Sequence, residues 1–451
     1  MDQKKLVLIA STIASFLTPF MGTAVNLALP SIEKEFALDA IFLAWITTAF
    51  LLSTAMFLVP MGRLGDIKGR RNLFILGLLI FTVSSMLCAF AFSGDLLVFF
   101  RFLQGLGSAM IASTGVAMLT SAYPPQERGK VIGINTSAVY VGLSSGPILG
   151  GFITQHFGWR ALFLFPLLIA FIAIFAILKV KQEWAEAKGE SFDLFGSAMY
   201  AISLFILIFG FSNLPETLGF LLVFTGLLAI IIFAIVESRT KDPVLDVKMF
   251  RKNTVFAMSN IAALLNYSAT FAVTFLMSLY LQYIKNLSPQ DAGIVLLAQP
   301  IMMALFSPMA GSLSDRIEPR VVASVGMGLT ALSLFLFSLI NSETPIEFII
   351  GNLILIGFGF ALFSSPNTNA VMSSVEKKFF GLASATLATM RVVGQAFSMG
   401  IVTLIFAVML GKSRIPEVLP EFIVTLKVSF IVSVVLCLFG VFVSLARGKL
   451  R

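Results

Sequence analysis

The sequence predicts an all-α polytopic membrane protein of about 14 transmembrane helices, built as two six-helix parallel-repeat halves with a two-helix insert between them. Three observations carry that expectation. The 451 residues are 58% hydrophobic and 12% charged, whereas a soluble domain carries about a quarter charged residues. The apolar residues gather in runs of ~20, the length at which a helix crosses a bilayer. One short pattern also occurs twice. GRLGDIKGRR at residues 62–71 returns in weaker form as GSLSDRIEPR at 311–320, with Gly, Leu, Asp and Arg matched at a constant offset of 249 residues. Self-similarity at a fixed period is the signature of a repeat.

The first apolar run starts near Leu6, after Asp2, Lys4 and Lys5, and continues to about Leu29. It is too long for a signal-peptide core, and Pro30 and Glu33 follow where small residues would mark cleavage, so it reads as an uncleaved first helix. Further runs start near Ile41, Asn72, Leu96, Gly129 and Ala161 and complete a first half, residues 1–180. Two runs near Phe192 and Leu218 form the insert, with its linkers residues 181–250. Six more, near Thr254, Asp291, Val321, Ile346, Gly381 and Ile423, make the second half, residues 251–451. The longest polar breaks, 179–190 and 237–252, are too short to fold alone.

Basic residues orient the bundle. With the N-terminus inside, the outer segments hold Lys34, Arg160, Lys285, Lys412, Arg414 and Lys427. Arg101 and Arg391 fall within runs, and the other 23 of the 31 Lys and Arg lie on cytoplasmic segments. Cationic loops stay in the cytoplasm, so both termini are expected there, in a plasma (inner) membrane. The net charge of +8 and pI of about 9.5 then point to anionic lipid headgroups rather than nucleic acid. Cys88 and Cys437 lie within apolar runs and the lone His156 in a short loop, which excludes a disulfide framework and a His-based metal site. No metal or cofactor is expected. One loop histidine and no buried acid argue against a membrane-embedded enzyme. The absence of a G-x-x-x-x-G-K-[ST] loop excludes ATP-driven transport within this chain.

Several motifs point to mechanism. In 62–71, Gly62 and Gly69 suit a tight turn, and Asp66 is the one acid among Arg63, Lys68, Arg70 and Arg71. GLGSAM at 105–110 parallels GFGFAL at 357–362, and Gly129 parallels Gly381, both at an offset of 252. Parallel repeats of this kind are a secondary-transporter architecture, with the substrate path at their interface. Gly142, Gly146 and Gly150 stand at i, i+4 and i+8, leaving a helix face on which another helix can approach closely. Pro147, beside Gly146 and ahead of Gly150 and Gly151, removes a backbone hydrogen bond and bends that helix. Arg101 sits about six residues into the fourth run and Arg391 at the middle of the thirteenth, with Gln395 one turn further on. A charge at such depth costs ~3 kcal/mol or more unless it meets water or a partner, although Arg101 also has the option of snorkelling to the interface. Asn26, Gln104, Asn266, Tyr267, Gln299 and Asn367 are neutral polar residues within runs, suited either to helix–helix hydrogen bonds or to a polar path.

Together these motifs resemble those of major facilitator superfamily transporters, in particular the fourteen-helix branch of drug:proton antiporters. The 62–71 loop resembles G-x-L-x-D-x-x-G-R-R/K. Arg101, Gln104, Gly105 and Gly107 resemble R-x-x-Q-G-x-G. Gly142, Gly146, Pro147, Gly150 and Gly151 resemble the antiporter motif G-x-x-x-G-P-x-x-G-G, and TAVNLALP at 23–30 resembles D-x-T-x-V-N-x-A-L-P. The resemblance implies a secondary active transporter with alternating access, most simply an exporter of amphipathic small molecules. It implies a gating loop of Gly62, Asp66, Gly69, Arg70 and Arg71, echoed by Asp315 and Arg320, and a path lined by the first, fourth, ninth and twelfth helices. One position departs: the acid that opens the helix 1 motif is Met21 here, and no Asp or Glu falls near the bilayer centre. Protons remain a candidate coupling ion, and Arg101 and Arg391 without an acid favour neutral, zwitterionic or anionic amphiphiles. A lipid or glycolipid flippase, a metabolite carrier and a receptor are the alternatives.

Overall fold

The computed structural model describes residues 3–240, 243–245, 247–376 and 380–448. Asp2, Lys241, Lys377, Lys378, Lys449 and Arg451, which entered the charge argument, lie outside the described residues. The first half comprises α1 (Gln3–Phe36), α2 (Ala40–Lys68), α3 (Arg70–Ala89), α4 (Gly94–Ala122), α5 (Pro125–Phe157) and α6 (Trp159–Leu178). The insert is α7 (Leu194–Ser212) and α8 (Thr217–Glu237), and a short α9 (Val247–Lys252) follows. The second half comprises α10 (Thr254–Thr270), α11 (Ala272–Leu279), α12 (Pro289–Leu296), α13 (Ala298–Arg316), α14 (Pro319–Phe337), α15 (Ile346–Ser373), α16 (Phe380–Met409) and α17 (Leu419–Ala446). A π turn, Tyr280–Ile284, extends α11, so α10 and α11 make one span and α12 and α13 another. Among the described residues, 14 spans are long and apolar enough to cross a membrane.

Local chemistry sets the helix ends. In hydrocarbon the backbone must satisfy its own polar groups, which leaves helices as the available form. Their exposed first-turn amides take side-chain acceptors: Asp39 accepts from the Phe42 amide (2.7 Å), Asp193 from Gly196 (2.7 Å) and Asn253 from Phe256 (2.9 Å). Between α2 and α3 the chain turns on Gly69 at φ +117°, a conformation that side chains resist.

Glycines set the interhelical distances, and they do so twice. A Cβ at Gly107 on α4 would stand 2.6 Å from the Phe81 amide nitrogen and 2.8 Å from the Gly77 carbonyl oxygen of α3. A Cβ at Gly326 on α14 would stand 2.6 Å from the Gly359 carbonyl oxygen of α15, and one at Gly359 2.9 Å from that of Gly326. A Cβ at Gly105 would stand 2.3 Å from the Phe50 carbonyl oxygen of α2, and one at Gly357 2.3 Å from the Gln299 carbonyl oxygen of α13. The crossings α3–α4 and α2–α4 are thus repeated by α14–α15 and α13–α15, as α1–α5 is by α10–α16. Small residues permit such approaches, and packing then holds the helices together in lipid.

The insert lies against both halves. The Tyr200 hydroxyl of α7 donates to the Ala55 carbonyl of α2 (3.1 Å), Phe209 stacks near Trp45 of α2, and Gly400 of α16 leaves room for Ile208 and Phe211. α8 packs on α7 and turns Phe220, Phe224 and Ile231 outward. This accords with a lipid-facing element.

Alanine at Gly107 or Gly359 is expected to destabilise the protein by about 1–3 kcal/mol through overpacking against backbone. Alanine at Gly133 or Gly351, where nothing stands within 4 Å, is expected to leave the melting temperature unchanged or raise it, because alanine is the better helix former. Thermal unfolding in detergent checks both pairs, and equal effects at all four positions would contradict this packing.

Candidate functional site

The two halves meet at the face of the bundle where α1 ends and α2 begins, called here the far face. α5 and α12 approach so closely that a Cβ at Gly151 would stand 2.3 Å from the Pro289 carbonyl oxygen. One at Gly293 would stand 2.2 Å from that of Pro147. Around this contact the Ser278 hydroxyl donates to the Asn26 carbonyl (2.7 Å), the Gln282 amide to the Leu27 carbonyl (3.3 Å) and the Ala40 amide to the Ser413 carbonyl (3.1 Å). Glu33 of α1, 2% exposed, accepts from Arg414 Nε (2.7 Å) and from the Tyr283 hydroxyl (3.4 Å) of the other half. Asn26 lies inside this seam at 0% exposure; its Oδ1 accepts from Thr47 (3.1 Å) and its Nδ2 has no partner.

The expectation that no acid is buried fails here. Glu33 and Glu237 are both buried, at helix ends where each finds donors: Glu33 those just named, Glu237 the Val244 and Leu245 amides. The sequence held one clue, because basic residues are scarce on these segments. Two of them, Arg414 and Arg160, pair with successive acids of α1, Glu33 and Glu35.

The opposite, basic face is arranged differently. Among the described residues, the polar partners of 62–71 belong to the first half and to the segment 179–190 that follows α6. Asp66 accepts from Arg70 Nε (2.7 Å), and Arg70 also pairs with Glu186 (2.7 Å) and donates to the Ser121 hydroxyl (2.7 Å). The Asp66 carbonyl accepts from the Ala187 amide (3.0 Å), and the Trp184 carbonyl from the Arg70 amide (2.9 Å). Glu183 caps α3 by accepting from the Arg71 (2.8 Å) and Asn72 (3.1 Å) amides, and Arg63 pairs with Glu190. The polar break is therefore a strap folded under the first half. In the second half Asp315 accepts from Asn369 (3.2 Å), and Arg320 starts α14 without reaching the 62–71 loop. Partial burial opposes ionisation of Glu186, but the hydrogen bonds of Arg70 and Ser121 and the charges of Arg70 and Arg128 outweigh it and hold its pKa below the usual range.

The antiporter-like helix serves two neighbours. Gly142, Gly146 and Gly150 face α1, where a Cβ would meet the Phe16 carbonyl at 2.4 Å, the Thr23 hydroxyl at 1.9 Å and the Ala24 carbonyl at 2.7 Å. Gly151 and the Pro147 carbonyl face the other half.

The polar candidates within the bundle separate into two groups. Arg101 and Gln104 are 0% exposed inside the first half. Arg101 Nε donates to the Ile46 carbonyl (3.1 Å), its guanidinium bonds Gln104 and lies 4.3 Å from the Phe50 ring, and Gln104 bonds Ser85. Arg101 therefore does not snorkel; backbone, amide and ring hold it in place, with one amino group left unpaired. Asn367 joins a second sealed network, accepting from Arg447 (2.9 Å) and donating to the Ser259 carbonyl (3.0 Å). Arg447, counted from sequence among the cations of the cytoplasmic segments, is 1% exposed, and burial pushes its pKa down to about 10. Asn266 is 0% exposed with both side-chain polar atoms unpaired. Tyr267, Gln299, Arg391 and Gln395 are partly exposed.

The sequence profile of the Major Facilitator Superfamily matches residues 11–239 and 260–449. The riboflavin transporter RibZ of Clostridioides difficile (strain 630) is 32% identical over 392 residues, 87% of this chain and 86% of that one. The tetracenomycin C resistance and export protein of Streptomyces glaucescens is 29% identical over 425 residues, 92% of this chain and 77% of the other. Among solved structures, a bacterial homologue of the human lysosomal transporter Spinster, inward-facing and unoccupied, superposes with a TM-score of 0.68 at 16% identity, covering 99% of this chain and 97% of that one.

The depressed pKa of Glu186 fixes a pH dependence for the strap. A carboxylate whose folded pKa is lowered stabilises above its unfolded value and loses that contribution as pH falls through the folded one. Hydrogen exchange of 183–187 is therefore expected to be slow at neutral pH and to accelerate below the ordinary Glu range. Glu186→Gln is expected to exchange fast at neutral pH and to lose this pH response. An unchanged response in the variant would contradict the assignment.

Proposed function

The chain belongs to the major facilitator superfamily, and on that premise we propose that it is a secondary active transporter that exports amphipathic small molecules by alternating access. In this reading residues 1–180 and 251–451 are the moving halves and 181–250 the insert. The observation that carries it is the asymmetry of the seam. The halves are clasped at the far face through Gly151, Gly293 and Glu33, while on the basic face the polar partners of 62–71 among the described residues belong to its own half and the strap. The excess of Lys and Arg assigns the basic face and both termini to the cytoplasm, so this conformation opens inward. Export finds support in the tetracenomycin relative, a resistance and export protein, and in the antiporter-like helix. Protons are kept as the candidate coupling ion, although Met21 stands where the branch carries an acid.

Asp66 gates the cytoplasmic side in this scheme, exchanging its bond to Arg70 for one across the seam when that side closes. Flux of riboflavin and of ethidium in proteoliposomes, with and without an imposed pH gradient, tests the reading. At least one solute is expected to move, and faster with the gradient if protons drive the cycle. Asp66→Asn is expected to keep normal expression and slow flux tenfold or more, on the order of 1.4 kcal/mol of lost state preference. Full flux by a well-folded Asp66→Asn protein would contradict the gating role.

A further inference from the structure

Arg391 stands mid-helix on α16, partly exposed, and has no ion-pair partner among the described residues. One amino group donates to the Thr368 hydroxyl (2.7 Å) of α15, and Nε is buried with no partner at all. The guanidinium carbon lies 5.8 Å from the centre of the Tyr267 ring of α10. Three residues on, a Cβ at Gly394 would stand 2.7 Å from the Leu264 carbonyl oxygen and 2.9 Å from Tyr267 Cβ. This side of α16 therefore looks into the bundle at α10, and not at lipid. Phe360 meets Tyr267 edge to face at 5.3 Å.

This differs from the other buried arginines. Arg101 and Arg447 are sealed within one half, bonded to carbonyl, amide or hydroxyl groups with one amino group of each left over. Arg391 holds one hydroxyl, leaves Nε unused and is partly exposed. A guanidinium at that depth must meet water, backbone carbonyls, neutral polar groups or an anionic group, and a planar fork of unused donors suits a carboxylate, sulfonate or phenolate. The surrounding rings supply flat apolar faces and edges for an aromatic body. A cationic ligand would face an uncompensated positive charge.

We propose that Arg391, Thr368 and Tyr267 form a subsite for the anionic edge of a planar aromatic substrate. The proposal rests on the transporter reading only for the route by which such a molecule arrives. Fluorescein is the anionic aromatic probe and ethidium its cationic counterpart, each read by fluorescence anisotropy on the detergent-purified full chain. Fluorescein is expected to bind the wild type, and more tightly than ethidium. Arg391→Gln is expected to weaken fluorescein binding at least tenfold with an unchanged melting temperature, and Arg391→Lys to weaken it less. Should Arg391→Gln not fold, Thr368→Ala, which removes the hydroxyl that holds the guanidinium, is expected to weaken fluorescein several-fold. Failure of the wild type to bind fluorescein, full affinity in a folded Arg391→Gln protein, tighter binding of ethidium, or full affinity in Thr368→Ala would each overturn the subsite. Flux separates this from the broader reading. Arg391-dependent fluorescein binding with no transport of any solute would overturn the exporter and spare the subsite. Ethidium transport unaffected by Arg391→Gln, with no fluorescein binding, would do the reverse.

Discussion

The close approach of α5 and α12 is the contact on which the two-half arrangement depends. Two glycines, Gly151 and Gly293, each lie against the carbonyl of the helix opposite, at the Pro289 and Pro147 positions. Neither helix can come nearer, and a side chain at either point would push them apart. Lipid offers no hydrophobic force to drive helices together, so such backbone-to-backbone packing and a few interhelical hydrogen bonds hold the seam. The Glu33–Arg414 pair and the Ser278–Asn26 bond lie beside it and give it direction: they close one face and leave the other to its own strap.

The same scarcity of water explains where the charges went. Each deep arginine is met by something. Arg101 has a carbonyl, an amide and a ring; Arg447 has an amide and a hydroxyl. Paired or hydrogen-bonded, such groups hold helix ends and crossings in register, and unpaired they would be costly. Arg391 is partly exposed and has a single hydroxyl partner, with Nε left over. The sealed cations are thus the better bonded, and the cation with the fewest partners is the one that is partly exposed.

The spans and their pairing were largely legible in the sequence, because hydrophobic length and repeated glycines report directly on lipid and on helix contact. The offsets of 249 and 252 residues became the paired crossings of Gly77 with Gly107 and of Gly326 with Gly359. Side-chain placement was less legible. Arg101 and Gln104 had the composition of a path, yet helical phase turned them inward among α2, α3 and α4. Glu33 and Arg414 are distant in sequence and meet only because the halves do. The strap read as a polar linker, since nothing in its composition says that Glu183 will cap α3 or that Glu186 will take Arg70.

The central claim is that the two faces open alternately about this seam. Spin labels test it at exposed positions, because Cys88 and Cys437 are both fully buried and leave little background. One pair, Lys34→Cys with Lys412→Cys, spans the far face; another, Lys68→Cys with Arg316→Cys, spans the basic face. The account predicts that a transported solute or acid pH lengthens the first distance while it shortens the second. Two distances that rise and fall together, or neither of which moves while the protein transports, would contradict it.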